Sequence, residues 1–158
     1  MADVHAMTDI VDPEPQKDSM PVTRSPLISG TIEAVGRILS RRILEVADKE
    51  GLSADQWYTL DVIARNDGVT MTDIARSLGM PAPTITKHVD RLVTGALAFR
   101  LADHFDRRKV LVHASKRGIL VHTFLLAQVQ EIEDEFFSRF SFKEKRLLIQ
   151  SLQSISIE

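Results

Sequence analysis

Three observations predict a mainly α-helical chain with one small β-hairpin. Apolar residues recur at steps of three and four along most of its length. Between Thr70 and Ala96, two short helical patterns meet at a glycine corner. Directly after them come two short apolar runs of strand character, separated by the polar stretch HFDRRK.

Taken in order, residues 1–24 hold Asp3, Asp9, Asp12, Glu14 and Asp18, with prolines at 13, 15 and 21 and no sustained periodicity. They read as a disordered acidic N-terminal arm. From about Pro26 to Lys49, the set Ile28, Ile32, Val35, Leu39, Ile43 and Val46 marks a long amphipathic helix, with Arg37, Arg41 and Arg42 on its other sides and Gly51 as its stop. Ser53 and Gln56 form a capping box, and Leu52 with Trp57 forms the hydrophobic staple around it. That second helix is predicted to run to about Asn66, with Trp57, Leu60, Ile63 and Ala64 facing inward.

Thr70, with Asp73 three residues on, opens the next helix, in which Ile74, Ala75 and Leu78 share a face; Val69 and Ile74 repeat the staple. Gly79 supplies the corner. A further helix starts near Ala82, where Pro83 suits the first turn, and Ile85, Val89, Leu92 and Val93 form its buried stripe. Thr84, Lys87, His88, Arg91 and Thr94 lie opposite. This periodicity alone also fits an ordinary helix pair in an all-helical core. The hairpin that follows favours a helix-turn-helix whose second helix enters a major groove. Phe99, Leu101, Val110 and Val112 fit half-buried strands, and the tip between them carries Arg107, Arg108 and Lys109. A hairpin directly after a helix-turn-helix is a wing, and cations at its tip can reach phosphates or the narrow minor groove.

After the hairpin, Ser115 is predicted to cap a helix of about two dozen residues. Val121, Leu125, Val129, Ile132, Phe136 and Phe140 form one stripe, widened by Leu120, Phe124 and Phe137. Ser141 and Glu144 form another capping box before a final helix with Leu148, Leu152 and Ile155 on one side. So wide an apolar arc needs more cover than this chain offers, which predicts a second copy.

At 158 residues, with 44% hydrophobic and 27% charged residues, the totals fit one soluble globular domain. Charge is segregated: residues 81–118 sum to +5 in a chain of net charge −2. Without cysteine there is no thiolate ligand, no disulfide and no thiol-based sensor. No apolar run reaches the ~18 residues of a membrane span, and the N-terminus lacks a signal-peptide pattern, so the expected location is cytoplasmic. His88, His104, His113 and His122 lack the spacing of a metal site, and no phosphate loop, nucleophile elbow or catalytic carboxylate pair stands out. No enzyme, cofactor or metal is expected.

Residues 26–156 resemble the multiple-antibiotic-resistance regulator (MarR) family of winged-helix transcription factors. The likeness rests on GLSADQWYTLDVIA, on TDIARSLGMPAPTITKHVDRL and on DRRKVLVHASKRG, in that order and spacing. The resemblance implies a homodimer joined through N- and C-terminal helices (25–50 and 115–158), carrying a winged domain over 51–114. It implies an operator of imperfect palindromic form, bound with two recognition helices roughly 34–36 Å apart. It further implies that Thr84, Thr86 and Lys87 face DNA, with His88 and Arg91 beside them. Arg108 enters the minor groove, oriented by Asp106 and flanked by Arg107 and Lys109. Many members are repressors released by a small aromatic or acidic ligand. Here Arg37, Arg41, Trp57, Asp61 and His122 are the candidates to line its cavity. The family's usual glycine after the recognition helix falls at Ala96, with Gly95 one residue early, and Ala82 and Pro83 replace small polar residues at the helix start. The rival readings are a winged-helix protein-interaction module and a DNA-binding regulator without an effector pocket.

Overall fold

The computed structural model describes residues 27–155. The acidic arm at 1–24 lies outside the described residues. Helix α1 (Ile28–Ala47) ends in a single 3-10 turn, Asp48–Glu50, and Gly51 closes it in the left-handed region at φ 71°. Helix α2 (Ala54–Ala64) starts on the complete capping box: Ser53 Oγ accepts from the Gln56 N–H, and Gln56 Oε1 accepts from the Ser53 N–H. It stops two residues short of the expected Asn66, because Asn66 turns its amide back onto the Val62 carbonyl at 2.6 Å.

A short strand β1 (Val69–Thr70), which the sequence reading missed, runs straight into α3 (Met71–Leu78). Two residues are too few for period-two alternation to show. Gly79, at φ 61°, turns the chain into α4 (Ala82–Thr94). Strands β2 (Ala98–Ala102) and β3 (Val110–Ala114) form the hairpin, and β3 lies between β1 and β2 in an antiparallel sheet of order β1-β3-β2. Helices α5 (Lys116–Phe136) and α6 (Phe142–Ile155) follow, opened by Ser115 and by the Ser141–Glu144 box.

The core gathers Ile43 and Ala47 of α1, Trp57, Leu60 and Ile63 of α2, Ile74 of α3, and Ile85, Val89 and Leu92 of α4. Val112 of β3 and Leu125 and Val129 of α5 complete it. Full burial of each Ile, Leu or Val among them stabilises by about 1.5–3 kcal/mol. The four residues of the expected staples, Leu52, Trp57, Val69 and Ile74, are all buried in this core.

The hairpin departs from expectation. Of the four apolar residues expected to be half-buried there, Val112 is buried, whereas Phe99, Leu101 and Val110 are 43%, 57% and 48% exposed. The register pairs Phe99 with His113 and Leu101 with Leu111, so those side chains share one face of the sheet and Val112 takes the other. The strands project from the body, and only the inward face near their base meets the core. On the terminal helices, Leu120, Phe124, Phe142, Leu147, Ile149 and Ile155 are exposed apolar side chains.

Candidate nucleic-acid interface

Helix α4 buries Ile85, Val89 and Leu92, which turns Lys87 and Arg91 outward; neither makes an ion pair among the described residues. Thr86 is exposed and its hydroxyl donates back to the Ala82 carbonyl at 3.0 Å, while Thr84 is half-buried. His88 departs from this set. It is half-buried, with Nδ1 3.3 Å from the buried Thr59 hydroxyl oxygen of α2. Thr59 Oγ1 donates to the Asp55 carbonyl at 2.8 Å, which leaves its lone pairs to accept from the imidazole. His88 therefore braces α4 against α2 instead of projecting with Lys87 and Arg91. A helix position beside the buried stripe lies on the boundary between faces, and sequence spacing alone assigns it to neither.

The wing is tied to this helix. Arg100 of β2 donates to Asp90 of α4 at 2.7 Å. On the far side, Ser115 Oγ donates to the Ala96 carbonyl at 2.6 Å and Arg117 to the Gly95 carbonyl at 2.6 Å. Ala96 adopts φ 56°, the left-handed position, whereas Gly95 has an ordinary φ of −77°. The chain thus keeps the geometry that glycine would serve and places alanine in it.

At the tip, Asp103 Oδ1 accepts from the N–H groups of Phe105 and Asp106, each at 2.7 Å. These two bonds hold the Asp103 carboxyl below its usual range, with Lys109 and His104 adding to the effect. Asp106 Oδ1 accepts from the Arg108 N–H at 3.1 Å. It thereby shapes the backbone that carries Arg108, and the guanidinium is left exposed. Arg107 and Lys109 are exposed beside it.

The five candidate ligand residues separate into two groups. Trp57 and His122 stack at 5.2 Å between centroids and 18° between planes, and His122 Nε2 lies 2.9 Å from Asp61 Oδ1. The other Asp61 oxygen pairs with Arg65. All three residues are buried or half-buried between α2 and α5. Arg37 instead pairs with Glu33 on the exposed side of α1, and Arg41 is exposed. Their helical spacing put them on α1, but packing turned that side to solvent, so they do not join the stack. An open cleft of about 320 Å³ lies nearby, lined by Arg65, Asn66, Asp67, His113 and Ile119 among others. None of the five candidates lines it.

The MarR family model matches residues 50–109, which run from the end of α1 to the wing tip. A candidate transcriptional regulatory protein for the hcr operon of Thauera aromatica is 26% identical over 110 residues, or 70% of this chain and 66% of that protein. CouR from Rhodococcus jostii RHA1, solved with p-coumaroyl-CoA, superposes with TM-score 0.76 at 24% identity, covering 82% of this chain and 92% of its own. MepR from S. aureus, solved with DNA, superposes with TM-score 0.70 at 20% identity, covering 83% and 97%. The helix-turn-helix lies within the matched segment and the wing tip closes it, so residues 50–109 are similar to the MarR family of transcriptional regulators and the fold is that of its solved members.

Proposed function

We propose that this protein is a MarR-type regulator, a cytoplasmic homodimer that represses transcription from a pseudo-palindromic operator. In this reading residues 51–114 are the DNA-binding unit, and 25–50 with 115–158 join the two copies. Helix α4 enters the major groove through Thr84, Thr86, Lys87 and Arg91. Arg107, Arg108 and Lys109 follow the wing to the minor groove, on a loop shaped by Asp103 and Asp106. One observation carries the reading: exposed cations without an ion pair among the described residues stand on two elements that the Asp90–Arg100 pair ties to each other. The exposed apolar side chains of α1, α5 and α6 favour the second copy, since a patch of that kind is normally covered.

Release by a small aromatic or acidic ligand is supported by the Trp57–His122–Asp61 group at the junction of α2 and α5. It is supported also by the p-coumaroyl-CoA of CouR. The regulatory step is linkage: a ligand that prefers one spacing of the recognition helices lowers affinity for the operator by the same factor that the operator lowers its own. Trp57 is the single tryptophan, so its emission reports on that junction.

The test is footprinting and titration of the DNA flanking the protein's own coding region. Binding is expected with log affinity falling against log salt by about 0.9 per phosphate contacted. Arg108→Ala should weaken all duplexes, and Lys87→Ala should also alter which sequences are preferred. Absence of both footprint and salt slope would mean a protein-interaction module. Aromatic acids and acyl thioesters that change Trp57 emission but leave the operator bound would remove the effector from the reading.

A further inference from the structure

The wing carries a residue that its electrostatics do not use. Phe105 sits at the tip, 96% exposed, with its ring edge-on to His104 at 5.3 Å between centroids. Turn chemistry does not ask for it, because tight loops favour Gly, Asn, Asp, Ser or Pro. Folding does not ask for it either, since the loop is held by Asp103 and Asp106 through bonds that do not involve the ring. Asp103 fixes the Phe105 N–H at 2.7 Å, so the ring projects from a defined backbone.

Its surroundings select a partner. Arg107, Arg108 and Lys109 follow within four residues, and both carboxylates of the loop turn back onto the loop's own N–H groups. An apolar ring among outward cations complements a surface that is anionic at its rim and apolar within. The minor groove is such a surface, with phosphates along its edges and sugar faces and base edges inside. An anionic membrane shares part of this chemistry, but the Asp90–Arg100 pair binds this wing to a helix bearing Lys87 and Arg91. We infer that Phe105 is an apolar minor-groove contact, packing on the sugar and base edges beside Arg108 and supplying affinity that does not depend on salt. This rests on the DNA-binding reading above.

The experiment uses the full-length chain and a duplex of about three helical turns, selected by the parent protein from a random-sequence pool. Affinity is measured by fluorescence anisotropy across a salt series. Phe105→Ala is expected to weaken binding roughly tenfold at every salt concentration and leave the slope of log affinity on log salt unchanged. Phe105→Leu should stay within about threefold of the parent, because it keeps most of the apolar area. Arg108→Ala should instead flatten the slope by about 0.9.

Parent-like affinity of Phe105→Ala, with Arg108→Ala behaving as stated, overturns this inference and leaves the DNA-binding reading standing. No salt-dependent binding by the parent overturns that reading first. Loss in Phe105→Ala of flotation with phosphatidylserine vesicles, or of self-association by sedimentation, with duplex affinity intact, would assign the ring to a membrane or to a second copy and overturn the inference.

Discussion

Asp90 on the recognition helix and Arg100 on the first wing strand meet at 2.7 Å, so the two elements proposed to touch DNA are joined by a charge-assisted bond of their own. Their side chains are 57% and 34% exposed, which limits what the pair contributes to the fold. A double-mutant cycle with Asp90→Ala and Arg100→Ala, read by urea unfolding, is expected to give a coupling below about 1 kcal/mol that shrinks in high salt. A larger, salt-insensitive coupling would mean the pair is a structural lock rather than a surface tie.

His88 is expected to behave as a packing residue. Its bond to Thr59 predicts that His88→Ala lowers stability by about 1 kcal/mol, as loss of a partly buried hydrogen bond does. Operator sequence preference and the salt slope should be unchanged. A changed preference with unchanged stability would return His88 to the DNA-facing set.

The exit from the recognition helix predicts two glycine effects of opposite sign. Ala96 sits at φ 56°, a region costing an L-residue about 1–2 kcal/mol, against roughly 0.5–1 kcal/mol for the chain entropy that glycine loses. Ala96→Gly is therefore expected to raise stability by about 0.5–1 kcal/mol. At Gly118 a Cβ would lie 1.9 Å from the Leu97 carbonyl oxygen, a backbone atom. Gly118→Ala should cost about 3 kcal/mol and loosen the junction of α5 with the wing. Thermal melts of both variants check the signs.

Two carboxylates set opposite pH dependences. The Thr70 hydroxyl at 2.6 Å, helped by Arg76, holds the Asp73 carboxyl below its ordinary value of 3.8. The folded form therefore binds the proton less readily than the unfolded one. The stabilisation is complete above the unfolded value and is lost as pH falls through the folded one. Desolvation pushes Glu133 up from 4.5, with Asp134 and Asp61 adding repulsion, so its ionisation penalises the fold as pH rises through that raised value. Asp73→Asn should lower the melting temperature at neutral pH, and Glu133→Gln should raise it. Both differences should vanish in acid below the carboxylate range.

The helices were legible because their signals are local. The Ser53–Gln56 and Ser141–Glu144 boxes, the Thr70 cap, the glycine turns at 51 and 79 and the buried stripe of α4 each depend on residues a few positions apart. The wing was legible for the same reason, as two short apolar runs around a polar tip. Of the candidate ligand residues, Trp57, Asp61 and His122 stand as separate possibilities in the sequence, and their assembly into one group is not readable across a separation of 61 positions.

By itself, then, the sequence determined the order of the elements, the segregation of cations into residues 81–118 and the presence of Arg107, Arg108 and Lys109 at a hairpin tip. Tertiary structure decided what those side chains face. It turned His88 inward and Phe105 outward, left Phe99 and Leu101 exposed on the wing, and set Arg37 and Arg41 apart from the Trp57–His122 stack. The physical reason is that capping and turning need only neighbours along the chain, whereas burial depends on which distant surface arrives to displace water.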